Sequence, residues 1–364
     1  MKRHFSCILL IAAGTMLAAC DPTPSNPPAS DTDGHALVLN EGSWGGNNAS
    51  LSLLNSDNGD ITNDWFSQSN GRGMGDVAQD IIVYGTHAYA AVSFSNSLEA
   101  IDLATGKSNR IDFGEGQSER FFRPRSIAAA NGQLFISCYG SHSVVSIDTL
   151  SLLTYPAATG AIRTCTLGNY LPEGLAVAGN RLFVASSWIS DENQNYTYDN
   201  KVYVIDIDAF SIIDTLTVGL NPQQVVAIDA SHVAVNYNGN YGNQPAGCAI
   251  IDANTLAVSQ TGLGLTAITA ANNMLYGYCR QGYGAGSTAT YWRLSPSSSE
   301  RTQIDISVGN PYSISVNPDN GDILVTTDGN YTANGDVMCF SADGTHKWTA
   351  EAELLPKKVV FFGK

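Results

Sequence analysis

The chain has 364 residues, of which 43% are hydrophobic and only 14% charged, with 35 glycines and 16 tyrosines. That composition excludes a disordered or fibrous protein, and the scarcity of helix-favouring runs points to an all-β fold rich in turns. A formal net charge of −15 argues against nucleic acid as a partner and against a flat seat on an anionic membrane.

The first residues read as an export signal. Lys2-Arg3 is a basic n-region, and Ile8 to Met16 is an apolar core too short to span a bilayer. Leu17-Ala18-Ala19-Cys20 has the form of a bacterial lipobox, which predicts cleavage before Cys20 and lipidation of its thiol. Residues 1–19 are thus expected to be a lipoprotein signal peptide. Residues 20–34, rich in proline and polar side chains, would be a semi-rigid tether, with residues 35–364 as the folded domain. Five cysteines remain there, Cys138, Cys165, Cys248, Cys279 and Cys339; their odd number and apolar settings favour buried free thiols.

A repeat organises everything after the tether. Pro172 is followed three and five places later by Leu175 and Val177, then by the turn Gly179-Asn180, a second strand at Leu182-Phe183-Val184, and a third at Val202–Ile205. The same slot recurs at Ala78, Pro124, Pro222, Leu265, Pro311 and Pro356, at spacings of 46, 48, 50, 43, 46 and 45 residues. Third strands end at Asn55, Asp102, Asp148, Asp206, Asp252, Ser295 and Ser341, residues that start turns. A fourth, more polar strand follows each. Four strands per unit, seven times, predicts an all-β fold: a single seven-bladed β-propeller with four-stranded blades. The chain opens at Ala36-Leu-Val-Leu39 on a second strand and closes at Lys357–Phe362 on a first strand. The C-terminal strand is therefore expected to complete the first blade and close the ring, leaving no free edges there.

One face should carry spare two-residue hairpins, at Gly85-Thr86, Asn131-Gly132 and Gly179-Asn180. The opposite face should carry long, dissimilar loops, and such loops on a rigid scaffold are where binding concentrates. Trp44, Phe94, Tyr139, Trp188, Tyr196, Tyr198, Tyr237, Tyr241, Tyr283 and Tyr331 fall in them amid Asn, Gln and Gly. Aromatics give broad contact area at low entropy cost, and amides give adaptable hydrogen bonds; Gly-Asn-Tyr segments capping ordinary turns are the alternative. The channel entrance is predicted from the residue after each slot: Gln79, Arg125, Glu173, Gln223, Thr266, Tyr312 and Lys357. Arg72, Arg120, Phe121, Phe122, Arg123 and Lys358 join them from the loops between blades, and Arg280 from another long loop. This basic cluster in an acidic protein favours a ligand with phosphate, carboxylate or many carbonyl oxygens. Glu173 with Arg125 reads as a salt bridge across the mouth.

Catalytic signatures are missing from the sequence. The histidines beyond the expected signal peptide, His35, His87, His142, His232 and His346, are scattered without metal-ligand spacing, and there is no Gly-x-Ser-x-Gly elbow or phosphate loop. Asp191, Glu192 and Asp199 share one loop and could bind calcium, but carboxylates in a polar insert are usually solvated, which is the favoured reading. The expectation is a non-enzyme with neither metal nor cofactor.

The phrase Gly-Asn-Arg-Leu-Phe-Val-Ala-Ser followed by Val-Tyr-Val-Ile-Asp resembles the YncE-like seven-bladed propellers. Leu39-Asn-Glu-Gly-Ser-Trp-Gly-Gly-Asn-Asn-Ala-Ser-Leu-Ser-Leu, behind a lipobox, is similar to propeller lipoproteins of gut Bacteroidota. That group includes BtuG-type surface proteins, which capture cobalamin for a TonB-dependent outer-membrane transporter. The resemblance implies an outer-membrane lipoprotein, at the cell surface or facing the periplasm, that binds a corrinoid on its long-loop face as cargo rather than cofactor. The expected contacts are Trp44, Arg72, Phe94, Phe122, Arg123, Arg125, Tyr139, Glu173, Trp188, Gln223, Tyr237, Tyr241, Arg280, Tyr283, Tyr312, Tyr331 and Lys357, with Arg72, Arg123, Arg125, Lys357 or Lys358 meeting the phosphate. A glycan or partner protein as ligand, and a propeller lyase or lactonase, are the alternatives.

Overall fold

The computed structural model describes residues 35–113, 123–153, 162–193, 195–282, 286–298 and 300–363. The expected signal peptide, the tether and Cys20 lie outside them, as do Arg120, Phe121, Phe122 and Tyr283.

Seven four-stranded antiparallel sheets form the blades of a β-propeller. Six of them take four consecutive strands. The seventh pairs the C-terminal strand Pro356–Phe362 with the N-terminal strand His35–Asn40, with Ala36 opposite Phe361 and Val38 opposite Val359. The ring therefore closes as the termini predict.

The core lies between blades rather than at a centre. Seven apolar clusters are found, one for each contact between neighbouring blades. Side-chain alternation along each strand makes this arrangement work. On the second strand of blade 2, His87–Val92, the side chains of Ala88, Ala90 and Val92 enter the contact with blade 1. Tyr89 and Ala91 enter the contact with blade 3. Because both faces of a blade are covered, its middle strands read as unbroken apolar runs instead of alternating ones.

The turn role assigned to the third-strand carboxylates holds. Asp102 Oδ1 accepts from Thr105 N at 2.8 Å, Asp206 Oδ1 from Ala209 N at 2.7 Å, and Asp252 Oδ1 from Asn254 N and Thr255 N at 2.8 Å. The five cysteines are free thiols; four are buried and Cys279 is partly so. Two short helices depart from the strand-only reading. Trp65–Asn70 bridges blades 1 and 2 with Phe66 buried, and Thr149–Leu153 takes up the turn after Asp148. A larger departure is in blade 4. Most of the stretch from Trp188 to Lys201 is not a loop: the strands Arg181–Ser190 and Tyr196–Asp206 extend through it as a paired hairpin.

Candidate functional site at the channel mouth

In six of the seven blades the residue after the slot reaches the channel through a backbone device. In blade 2, Ala78 faces Val92 and Asp80 faces Ala91, so Gln79 is an extra residue in a β-bulge. The same shift expels Arg125 in blade 3, Glu173 in blade 4, Gln223 in blade 5, Tyr312 in blade 7 and Lys357 in blade 1. A bulge re-aims the side chain it frees, here into the mouth. It also frees a backbone N–H one place on, and a buried second-strand side chain takes it. Ser137 Oγ accepts from Ser126 N at 3.0 Å, Asn236 Oδ1 from Gln224 N at 2.8 Å, and Thr326 Oγ1 from Ser313 N at 3.0 Å. Each of these side chains then donates to a carbonyl of the next blade: Glu173, Thr266 and Pro356 respectively. Gly174 follows the bulge in blade 4 because a Cβ there would sit 2.4 Å from the Gln223 carbonyl oxygen.

A second ring, contributed by the ends of the second strands, completes the mouth. Glu41 accepts from Lys357 Nζ at 3.0 Å and from Gln79 and the Tyr312 hydroxyl. Burial would raise its pKa, but Lys357 and these donors outweigh burial and hold the carboxyl below its usual range. Burial and then the Glu41 charge push the Tyr312 hydroxyl up. Arg125 makes a two-pronged contact with Glu173 at 3.0 and 3.1 Å, and Ser187 Oγ donates to the same carboxylate at 3.2 Å. The Arg125 guanidinium lies over the Tyr139 ring at 5.1 Å, and burial, helped by Glu173, pushes the Tyr139 hydroxyl up to about 12. Arg280 reaches Asp328 at 3.1 Å, and Lys358 reaches Asp80 at 2.6 Å. Below the mouth a cavity of about 700 Å³ runs between the first strands, with walls that include Val83, Ala129, Val177 and Ala227.

Around the mouth stand the aromatics. Trp44, Phe94, Tyr196, Tyr241 and Tyr331 are exposed, Trp44 at 80%. Trp44 and Phe94 lie 6.2 Å apart, and the Arg123 guanidinium sits 5.3 Å over the Phe94 ring. Across the face, Trp188 and Tyr198 are 4.1 Å apart, with Tyr241 6.4 Å beyond Tyr198. Tyr331 meets Tyr312 edge-on at 6.1 Å.

Several sequence-named residues are engaged within the protein. Arg72 grips buried Glu99 at 2.7 and 2.8 Å, and Arg110 holds the same carboxylate from the other side. Tyr237 packs its ring against Gly219 and Gly247 and donates to Gln260 Oε1 at 2.6 Å. The Arg125–Glu173 bridge forms as expected. Of the described cations expected to meet a phosphate, Arg72, Arg125, Lys357 and Lys358 all hold carboxylates, and Arg123 is the one without an ion pair among the described residues. The calcium reading loses its geometry. Asp191 closes the hairpin tip by accepting from Asn193 N and Asn195 N at 2.8 Å, whereas Asp199 is buried within the blade. No group of three metal-ligating side chains occurs among the described residues. Sequence reasoning did not single out Glu41, Ser187 or Asp328. Each stands one place past the residue that pairs with, or lies beside, the slot of its own blade, so strand register would have found them.

No protein-family model and no curated protein matches the chain. Solved structures do. A quinoprotein alcohol dehydrogenase-like protein from Bacteroides thetaiotaomicron is 13% identical, covers 91% of this chain and 78% of its own, and superposes with a TM-score of 0.61. AztD from Citrobacter koseri is 10% identical, with coverages of 91% and 98% and a TM-score of 0.56. Hydrazine synthase from Kuenenia stuttgartiensis is 15% identical, with coverages of 71% and 74% and a TM-score of 0.52. At these identities the likeness is one of fold, shared by enzymes and other proteins alike.

Proposed function

We propose that this propeller is a non-enzymatic capture protein. Its long-loop face binds a corrinoid, and it is held to the outer membrane through lipid at Cys20 and passes its cargo to a TonB-dependent transporter. The observation that carries this reading is the crown of exposed aromatics, Trp44, Phe94, Tyr196, Tyr241 and Tyr331, around the channel mouth of a rigid ring. Exposed rings of this size, held by a scaffold that need not reorganise, are costly to leave in water and suit a broad, flat, partly apolar ligand. A corrin has such faces, peripheral amides for Asn and Gln, and a phosphodiester for Arg123. Arg72, Arg125, Lys357 and Lys358 drop out of the phosphate assignment because their charges are already matched inside the protein. Calorimetric titration of cyanocobalamin into the purified protein tests the reading. Saturable binding is expected, and absence of heat at micromolar protein would end it. A Cys20→Ala variant, expected to leave the membrane fraction, tests the anchor separately.

A specific observation favours a glycan as the second reading. Trp188, Tyr198 and Tyr241 form an adjoining aromatic platform, with the Asn238 amide donating to the Tyr241 hydroxyl at 3.2 Å. Such a surface suits a sugar ring, and binding on a glycan array without response to cyanocobalamin would select it.

A further inference from the structure

We propose that the channel beneath the rim is a second binding site, selective for a neutral group bearing an amide or hydroxyl, and that it rejects anions and cations alike. The argument begins with charge. Six charged side chains line the cavity, Asp80, Arg125, Glu173, Arg280, Lys357 and Lys358, and every one is in an ion pair. The partners come from neighbouring blades or from the second-strand ring, so each charge is neutralised before any ligand arrives. A charged guest would give up part of its hydration and find every facing charge already in an ion pair, a balance that disfavours it.

A pair of neutral groups with unused hydrogen-bonding capacity lies on one side of the cavity. In the arc of blades 5 and 6 the mouth residues are Gln223, Gln224 and Thr266. Gln224 is exposed to the channel; its Oε1 accepts from Ile268 N at 2.9 Å, and its Nε2 has no protein partner among the described residues. Gln223 Nε2 donates to Asn221 Oδ1 at 2.6 Å, which leaves its Oε1 to accept. One donor and one acceptor on consecutive lining residues, in a cavity whose walls include Val and Ala, form the complement of a primary amide or a hydroxyl on a small apolar body. This site does not rest on the corrinoid reading, because it uses different residues from the rim crown and a different probe.

Benzamide, benzoate and benzamidine share one shape and differ in charge, so they test the proposal directly. Ligand-detected NMR on the purified protein should show saturable benzamide binding, with benzoate and benzamidine weaker by at least about tenfold. Gln224→Leu should abolish the benzamide response. Glu173→Gln releases Arg125 from its partner and should create benzoate binding that the parent protein lacks; this arm decides the matter if Gln224→Leu fails to fold. The proposal is overturned if benzoate or benzamidine binds the parent protein as well as benzamide, or if folded Gln224→Leu keeps the benzamide response. No benzamide binding up to its solubility limit would overturn it as well.

Discussion

At the scale of single residues, buried polar side chains that serve two blades at once carry much of the specificity of the ring. Thr326 is fully buried, accepts from Ser313 N and donates to the Pro356 carbonyl. Thr326→Val keeps the volume but strands both partners, and should lower stability by about 1–3 kcal/mol in urea unfolding. An unchanged midpoint would mean that the bulge does not need its side-chain acceptor. Glu41 gives a pH signature. Its folded pKa is depressed, so its contribution is fully present above the ordinary value of 4.5 and is lost as pH falls through the lowered one. The stability gap between the parent protein and Glu41→Gln should therefore shrink on acidification; a constant gap would contradict the hub role. Burial pushes the Cys248 and Cys339 thiols up to about 12, so both should resist thiol reagents until the protein unfolds.

Among the elements, the C-terminal strand Pro356–Phe362 matters most. It supplies the inner strand of blade 1, buries Val359 between blades, and places Lys357 on Glu41 and Lys358 on Asp80. Deleting residues 356–364 should cost more than any single substitution, above about 4 kcal/mol, and broaden the thermal transition. A truncated protein that melts as sharply and at the same temperature would refute ring closure by this strand. The extended hairpin of blade 4 is the opposite case, since its tip beyond Trp188 adds an aromatic platform without adding to the ring. Replacing only the tip, residues 191–197, by a short turn should leave the melting temperature nearly unchanged while removing exposed Tyr196.

For the whole molecule, the fold was legible because each blade buries the same face pattern, so the slot at Pro172 repeats wherever a first strand must start. The slot also located the mouth, since the residue after it is the one the bulge turns inward. What the repeat concealed was pairing. Glu41 meets Tyr312 and Lys357 only once the ring closes, and Arg72 looked available for ligand because its partner Glu99 lies inside an apolar-looking third strand. Ring geometry, absent from any local window of sequence, decides which charges remain unspent. The same logic leaves the exposed aromatics, and Arg123 outside every ion pair among the described residues, as the most prominent solvent-exposed features of the long-loop face. The decisive measurement is therefore calorimetric titration of cyanocobalamin into the parent protein, a Trp44→Ala/Arg123→Ala variant, and a control altered at exposed Leu150. The rim variant should lose at least about 2 kcal/mol of binding, roughly thirtyfold, while the Leu150→Ala control binds as the parent does. Equal binding by all three, or none by the parent, would contradict corrinoid capture at this face.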